Sequence, residues 1–306
     1  MLEEAVRVTK NVEKERAYRV FNQSERFAVG WYWVMRSHQL RPNETQPIQL
    51  LGRALILSRN SAEEIVVHHQ WPRSDRSYPV AERYGLIWVW VSKDAVEPGP
   101  LPHVPELGDQ ECEAVLSDRF TRQCHPNVLL INAIDAHHFN SVHNLPLEIQ
   151  FETCALSESA LQFNNVTRGG EASRFVRLIR PLYKKEVTYR LCYWYGNTGT
   201  VTLGPDFLHF YLMFALRPAE KEGKKGLTEG QMILLTPKRK GLLGWLFNSV
   251  VLFITQLVAA YFAKGDRHVF DSIKFNFKVP LAADRSIVQF IKHVEAQPAL
   301  SWKTWT

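Results

Sequence analysis

Cysteine is scarce in this chain of 306 residues, and its four copies are unevenly placed. They lie at positions 112, 124, 154 and 192, so the first 111 residues contain none. No two of them have the C-x2-C spacing of a zinc site or a redox dithiol. The count excludes a disulfide scaffold, and it favours reduced thiols in a cytoplasmic protein over a secreted one.

The sequence also lacks an apolar N-terminal run and a large excess of one charge. Its first twenty residues, MLEEAVRVTKNVEKERAYRV, do not contain the apolar stretch of a signal peptide. The formal net charge is +6, which is small for this length and does not predict nucleic-acid binding. In contrast, 45% of the residues are apolar and 12% are aromatic. This composition is typical of a globular protein with a large core or an apolar pocket.

Aromatic and β-branched residues cluster in short segments that favour strands. In the first part of the chain these segments are 27–35, 46–51, 53–58 and 84–91. The proline-rich stretch 97–105 cannot form helix or inner strand, because proline donates no backbone hydrogen bond. The sequence therefore predicts a leader over 1–25, a β-domain over 26–95, a linker over 96–110 and a second domain over 111–306.

The second domain combines predicted helices and strands. Helices are predicted over 127–143 and 285–295. Strands are predicted at 150–153, 162–166, 173–180, 187–195, 208–216 and 231–236.

One segment carries a candidate metal site, with the spacing Asp135-x2-His138-x4-His143. Two imidazoles and a carboxylate form the facial triad of non-haem Fe(II) oxygenases. Five residues is too long a spacing for one helical face, so the helix should loosen or end between His138 and His143. For an isolated pair of histidines, ordinary surface or core residues with Asp135 as their pairing partner would be the favoured interpretation.

The wider pattern Asn132-x2-Asp135-x2-His138-x4-His143 resembles the mononuclear-iron motif of Rieske-type non-haem iron oxygenases. The resemblance implies that His138 and His143 bind Fe(II). It implies that Asp135 is the carboxylate that links the iron to the electron donor, and that Asn132 lies beside the iron. Many members of the family have Glu where this chain has Ile131.

In that family the third ligand is a carboxylate far downstream on a helix. The segment Gly265-Asp-Arg-His-Val-Phe-Asp271 looks like that position, which makes Asp266 the candidate and leaves Asp271 and His268 as alternatives. An Asp near the positive end of a helix dipole has the same appearance without being a ligand.

The first part resembles a Rieske domain over Trp31–Glu44, Leu51–Leu57 and Arg76–Trp90. Such a domain binds a [2Fe–2S] cluster through two cysteines and two histidines. Here the pair His68-His69 has no cysteine with it. The resemblance therefore implies an α+β fold in which a truncated Rieske-like β-domain, without cluster ligands, precedes a helix-grip catalytic domain.

The function implied is that of an oxidoreductase, an oxygenase that uses Fe(II) and O2 on an apolar organic substrate. Electrons would come from the Rieske domain of another subunit, from an intact paralogue or from a ferredoxin, and the family suggests a trimer. The alternative is non-enzymatic: a degenerate partner subunit or a protein that binds a hydrophobic ligand.

An apolar run over 242–263 follows Lys238–Lys240. A buried core helix is the favoured interpretation of this run. The alternative is an interfacial segment that inserts Trp245 and Phe247 into lipid, giving a peripheral membrane contact over 238–263. A transmembrane helix fits the length, but it would pull Asp266 away from His138.

Overall fold

The computed structural model describes the greater part of the chain. The described residues are 18–70, 77–93, 97–143, 149–165, 187–205, 207–221, 223–273, 275, 277 and 280–302. Most of the predicted leader and the predicted strand at 173–180 lie outside them.

The first part of the chain forms two small antiparallel sheets with the strand orders β3-β4-β5-β6 and β2-β8-β7. The strands are β1 Arg26–Ala28, β2 Gly30–Arg36, β3 Thr45–Leu50, β4 Arg53–Arg59, β5 Ile65–His69, β6 Ser77–Tyr78, β7 Val80–Arg83 and β8 Leu86–Val91. The four predicted strands are present here with ends that differ by up to three residues, and the predicted strand 27–35 covers parts of both β1 and β2. Strands β5, β6 and β7 fall in the polar stretch 60–83 and were missed, because their side chains are largely exposed or half-buried.

Residues 299–302 pack against the first part of the chain, at the tight turn between β3 and β4 and along β1. Leu51 and Gly52 have φ values of 50° and 79°, and a Cβ on Gly52 would lie 2.7 Å from the Trp302 ring. Strand β17, Ala299–Ser301, pairs antiparallel with β1. Leu300 and Trp302 are therefore part of the core of the first sheets.

The second part contains an eight-stranded antiparallel sheet of order β10-β16-β15-β14-β13-β12-β11, with β9 beside β16. Its strands are β9 Cys112–Leu116, β10 Phe120–Arg122, β11 Phe151–Ser157, β12 Ala160–Asn165, β13 Val187–Trp194, β14 Thr198–Pro205, β15 Phe210–Lys221 and β16 Lys224–Pro237. Strand β14 was missed because its residues, TGTVTLGP, are mostly small or polar.

The described residues include four α-helices: α1 Pro126–Ile131, α2 Ala136–Ser141, α3 Gly241–Ser272 and α4 Arg285–Ala296. Helix α1 is entirely buried. Its Leu130 shares a core with Tyr193 of the sheet and Phe290 of α4, and the Tyr193 hydroxyl donates to the Leu130 carbonyl at 2.7 Å. The architecture is α+β, with mostly antiparallel sheets and few helices, as the sequence predicted.

Helix α3 packs lengthwise on β15 and β16 with one face only. That face buries Val251, Leu252 and Ala259 together with Asn248 and Thr255. Over Gly241–Arg267 the helix is long and apolar enough to cross a membrane, yet only 28% of its apolar window is buried. The interpretation as a buried core helix is therefore wrong for most of its length.

Candidate metal centre

Three donor atoms converge where α2 ends and α3 approaches it. His138 Nε2 lies 3.0 Å from His143 Nε2 and 2.8 Å from Asp266 Oδ1, and the third distance, His143 Nε2 to Asp266 Oδ1, is 2.9 Å. Both histidines are 6% exposed, and the Asp266 side chain is 18% exposed. In the part of the chain that the structure describes, these are the residues grouped so that they could hold a metal ion.

The break in the helix at Asp135 positions the two histidines. Asp135 has extended backbone, φ −85° and ψ 106°, and its Oδ1 accepts from the backbone N–H groups of His137 at 2.9 Å and His138 at 3.4 Å. This is an N-cap, which satisfies amides that a helix start leaves free. Helix α2 then ends at Ser141, so His143 lies beyond it, as the spacing predicted.

Helix α3 brings the carboxylate, and a glycine beside it permits the close approach. A Cβ on Gly265 would lie 3.1 Å from Cε1 and Nδ1 of His143. Phe262 packs edge-on against the His143 ring at 4.8 Å, and the Tyr261 hydroxyl donates to the His143 carbonyl at 3.4 Å. The sequence did not point to these three residues, which lie one, four and five positions before Asp266 on the same helix.

The other candidates have different surroundings. Asn132 Nδ2 lies 2.9 Å from His138 Nε2, so this side chain touches the triad. Asp135 caps α2 and faces the adjoining cavity. The side chains of Asp271 and His268, the alternatives to Asp266, lie outside the described residues.

The donor triangle fits an octahedral metal ion. Bonds of about 2.1 Å at right angles place two ligand atoms about 3.0 Å apart, whereas tetrahedral angles place them about 3.4 Å apart. The observed edges of 2.8, 2.9 and 3.0 Å match the first value. Two imidazoles and a carboxylate on one face are the ligand set of non-haem Fe(II) oxygenases.

Hydrogen bonds alone do not account for this cluster. A neutral ring nitrogen offers either one N–H or one lone pair. His138 Nε2, however, has Asn132 Nδ2, His143 Nε2 and Asp266 Oδ1 all within 3.0 Å. A cation between the three donors would satisfy two lone pairs and the carboxylate charge at once.

The electrostatics favour the metal-binding form of the site. Burial lowers the pKa of His143, an effect that the Asp266 charge opposes and that His138 reinforces. A neutral imidazole is the form that binds metals. Burial also raises the pKa of Tyr189, with a further contribution from Asp266, so its hydroxyl stays protonated and donates to the Ala133 carbonyl at 2.7 Å.

A cavity of about 530 Å³ adjoins the triad on the His138 side. Its described lining is mostly apolar, with Asn132, Asp135, His138 and Asp284 as the polar members. The apolar members are Val128, Ile131, Val269, Ile273, Phe275, Phe277, Leu281 and Ile287. This is the size and character of a pocket for a small organic molecule.

The first part of the chain gives its histidine pair a different environment. His69 Nε2 is 2.5 Å from the Tyr78 hydroxyl and 2.9 Å from Arg53 Nη1. Two polar neighbours therefore already engage this ring nitrogen. No cysteine precedes position 112, so a conventional Rieske cluster has no thiolate ligands in this part.

Comparison with known proteins gives one sequence relative at low identity, and no family model matches the chain. The aminopyrrolnitrin oxygenase PrnD from Pseudomonas fluorescens is 25% identical, over a match that covers 44% of this chain and 51% of that protein. The chain therefore spans about half the length of the curated relative that it matches.

Solved structures share the fold over nearly the whole chain. A mutant of NdmA from Pseudomonas putida CBB5 with caffeine has a TM-score of 0.60 at 12% identity, covering 89% of this chain and 96% of that one. NdmB from the same strain gives 0.59 at 14% identity, covering 86% and 89%. Dicamba monooxygenase bound to dicamba gives 0.53 at 16% identity, covering 91% and 97%. These comparisons show that the chain has the fold of Rieske-type oxygenases and that part of its sequence is similar to one oxygenase.

Proposed function

We propose that this protein is a non-haem Fe(II)-dependent oxygenase that hydroxylates or otherwise oxidises an apolar organic molecule. The observation that carries the proposal is the triangle of His138, His143 and Asp266 at the wall of a mostly apolar cavity. Relatives named as oxygenases support the reaction class.

The residues of the site have separate tasks in this proposal. His138, His143 and Asp266 hold the iron, which when bound supplies the activation of O2. Asn132, whose Nδ2 lies 2.9 Å from His138 Nε2, would lie beside the iron. Apolar side chains of the cavity, such as Val269, hold the substrate beside His138 and exclude water.

The electrons would have to come from another protein. Hydroxylation of a C–H bond consumes one O2, two electrons and two protons, and it releases one water. The first part of the chain has no thiolate for a cluster. We propose a ferredoxin, an intact Rieske paralogue or the Rieske domain of another subunit as the donor, in a trimeric assembly, with Asp135 at the point of entry.

A second candidate function is that of a catalytically degenerate partner subunit or a hydrophobic-ligand-binding protein. The missing thiolates favour it, since they leave the chain without an electron supply of its own. The converged metal donors favour the oxygenase, because a ligand carrier has no use for them. Turnover with an added electron-transfer protein separates the two.

Iron content tests the ligand assignment. Protein purified without oxygen and loaded with Fe(II) should retain iron in the wild type. It should lose iron in His138→Ala, His143→Ala and Asp266→Ala. His137→Ala is the matched control, because His137 is adjacent to His138 but exposed. If the wild type and His138→Ala retain equally little iron, the assignment fails.

Asp135→Asn separates electron entry from metal binding. Asn is also a good N-cap, so α2 and the iron content should be preserved. Turnover with an external electron donor should fall, because the carboxylate charge is gone. Unchanged turnover would remove Asp135 from the electron path while leaving the iron assignment intact.

A further inference from the structure

The outer face of α3 is apolar and exposed. We call the following ten residues, each more than a third exposed, the outer face: Leu242, Leu243, Trp245, Leu246, Phe247, Val250, Phe253, Ile254, Leu257 and Tyr261. They are ten of the fifteen large hydrophobic residues recorded as exposed in the described structure. A patch of this size on a protein in water marks an interaction surface.

The inner face fixes the helix along the sheet. Asn248 is fully buried. It accepts from Arg239 Nη1 at 2.7 Å and donates to the Pro237 carbonyl at 3.1 Å. Further along, Asp266 joins the metal centre. A helix held at both ends in this way cannot turn to cross a bilayer, although it can lie in the plane of one.

Charge is confined to the two ends of the outer face. No charged residue lies between Gly241 and Ala263. Lys240 precedes this span, and the exposed Lys264 and Arg267 follow it. Nearby, the Arg239 guanidinium stacks over Phe247 at 4.4 Å. Lys238 pairs with Glu111 at 2.5 Å, so Arg239 and Lys240 carry the net positive charge at the first end.

We propose that the outer face of α3 docks in the plane of an anionic bilayer. The apolar side chains would enter the boundary between headgroups and acyl chains, as in interfacial helices. Trp245 and Tyr261 are both exposed on this face, and their partly polar rings suit the boundary between headgroups and acyl chains. The basic residues at both ends would meet anionic headgroups.

The charge arrangement favours lipid over a second copy of the chain. In an antiparallel two-fold pair of α3 helices, Lys240 of one copy would lie near Lys264 and Arg267 of the other. In a parallel pair, Lys240 of one copy would lie near Lys240 of the other, and the Lys264 and Arg267 ends would also meet. Either alignment places like charges together, which is unfavourable, whereas an anionic surface is complementary along the whole face.

Flotation of the full chain with lipid vesicles tests the docking, independently of iron. Wild-type protein should float with vesicles of phosphatidylcholine and phosphatidylglycerol. The variant Leu246→Gln/Val250→Gln should bind about tenfold more weakly or worse, because it removes two inserting side chains. Leu156→Gln/Val66→Gln is the matched control, since these two residues are similarly exposed but lie on strands β11 and β5.

The expected pattern is strong binding to anionic vesicles, weaker binding to pure phosphatidylcholine, and loss only in the α3 variant. Far-ultraviolet circular dichroism should be the same for all three proteins. Absence of wild-type flotation would overturn the proposal, and so would an equal loss in the control. A dimer that the α3 variant abolishes, without vesicle binding, would assign the face to a second copy and overturn it too.

Discussion

The two parts of this chain differ in what accompanies their packed sheets. The first part forms small antiparallel sheets, and its Trp33 and Trp88 are fully buried in a core shared with the second part, but it has no cysteine. The second part has both a packed sheet and a converged set of metal donors. Apolar packing and a metal site therefore depend on different residues, and one can be present without the other.

The difference between the two parts is visible in the neighbours of one histidine from each. His69 Nε2 in the first part has a tyrosine hydroxyl and an arginine as neighbours. His138 Nε2 in the second part has a second imidazole and a carboxylate within 3.0 Å. In the first arrangement, the Tyr78 hydroxyl can hydrogen-bond to the ring nitrogen without any cation. In the second arrangement, a cation would bind the two nitrogen lone pairs and neutralise the carboxylate charge.

The largest effect is expected at the contact that joins the two parts. Arg217 is buried on β15. It donates to the Trp33 carbonyl at 3.1 Å and to Glu229 at 2.6 Å. Arg217→Ala should lower the free energy of unfolding by about 3–5 kcal/mol, because the Trp33 carbonyl loses this donor and the Trp33 ring loses the guanidinium stacked over it at 4.4 Å. Urea unfolding measures the change.

Arg190→Ala is the control for that variant. Arg190 is half exposed, and its Nη1 lies 3.9 Å from Glu106, so the change should cost less than about 1 kcal/mol. A similar cost for both variants would mean that Arg217 does not join the two parts.

Acid should weaken the second part through a buried histidine. Burial lowers the pKa of His125 from 6.5 to about 4, so below pH 6.5 the unfolded chain takes up a proton that the folded chain resists. Stability should therefore fall between pH 6.5 and about 4, by about 3 kcal/mol for this group.

His125→Asn isolates that contribution. His125 Nδ1 accepts from the backbone N–H of Asn127 at the start of α1, and Asn can make the same cap without titrating. The difference in unfolding free energy between pH 7 and 4.5 should therefore shrink in the variant. An unchanged difference would place the acid sensitivity elsewhere.

Gly265→Ala tests whether close packing shapes the metal centre. The new Cβ would lie 3.1 Å from the His143 ring, so Fe(II) affinity should fall about tenfold. Helix propensity itself improves with Ala. Gln256→Ala, on an exposed position of the same helix, should leave the affinity unchanged. Equal affinity in wild type and Gly265→Ala would show that His143 can shift freely.

The smallest effect is expected in the first part. Tyr78→Phe removes the hydroxyl that lies 2.5 Å from His69 and should cost about 1 kcal/mol of unfolding free energy. Iron content should not change, because His138, His143 and Asp266 all belong to the second part. A loss of iron in this variant would contradict the separation of the two parts.

The sequence predicted those features that depend on strong local patterns. Aromatic and β-branched residues marked β2, β4 and β8, and the ligand spacing marked the end of α2 before His143. It did not predict β14, whose small residues resemble a turn. Gly265 was also missed, because its role is set by a contact with a histidine far away in the sequence.

Helix α3 is a larger example of a feature that the sequence predicted only in part. Its apolar run predicted a helix, but the polar residues Asn248 and Thr255 face the sheet while large apolar residues face outward. Hydropathy reports how apolar a helix is. It does not report which face of the helix packs against the sheet, because that depends on tertiary contacts.

Metal analysis combined with an absorption spectrum tests the central claim most directly. After anaerobic reconstitution with iron and sulfide, the account predicts about one iron per chain, bound through the facial triad, and no Rieske spectrum. The iron should be lost in Asp266→Ala. A Rieske spectrum, or a wild type that retains no more iron than Asp266→Ala, would contradict it.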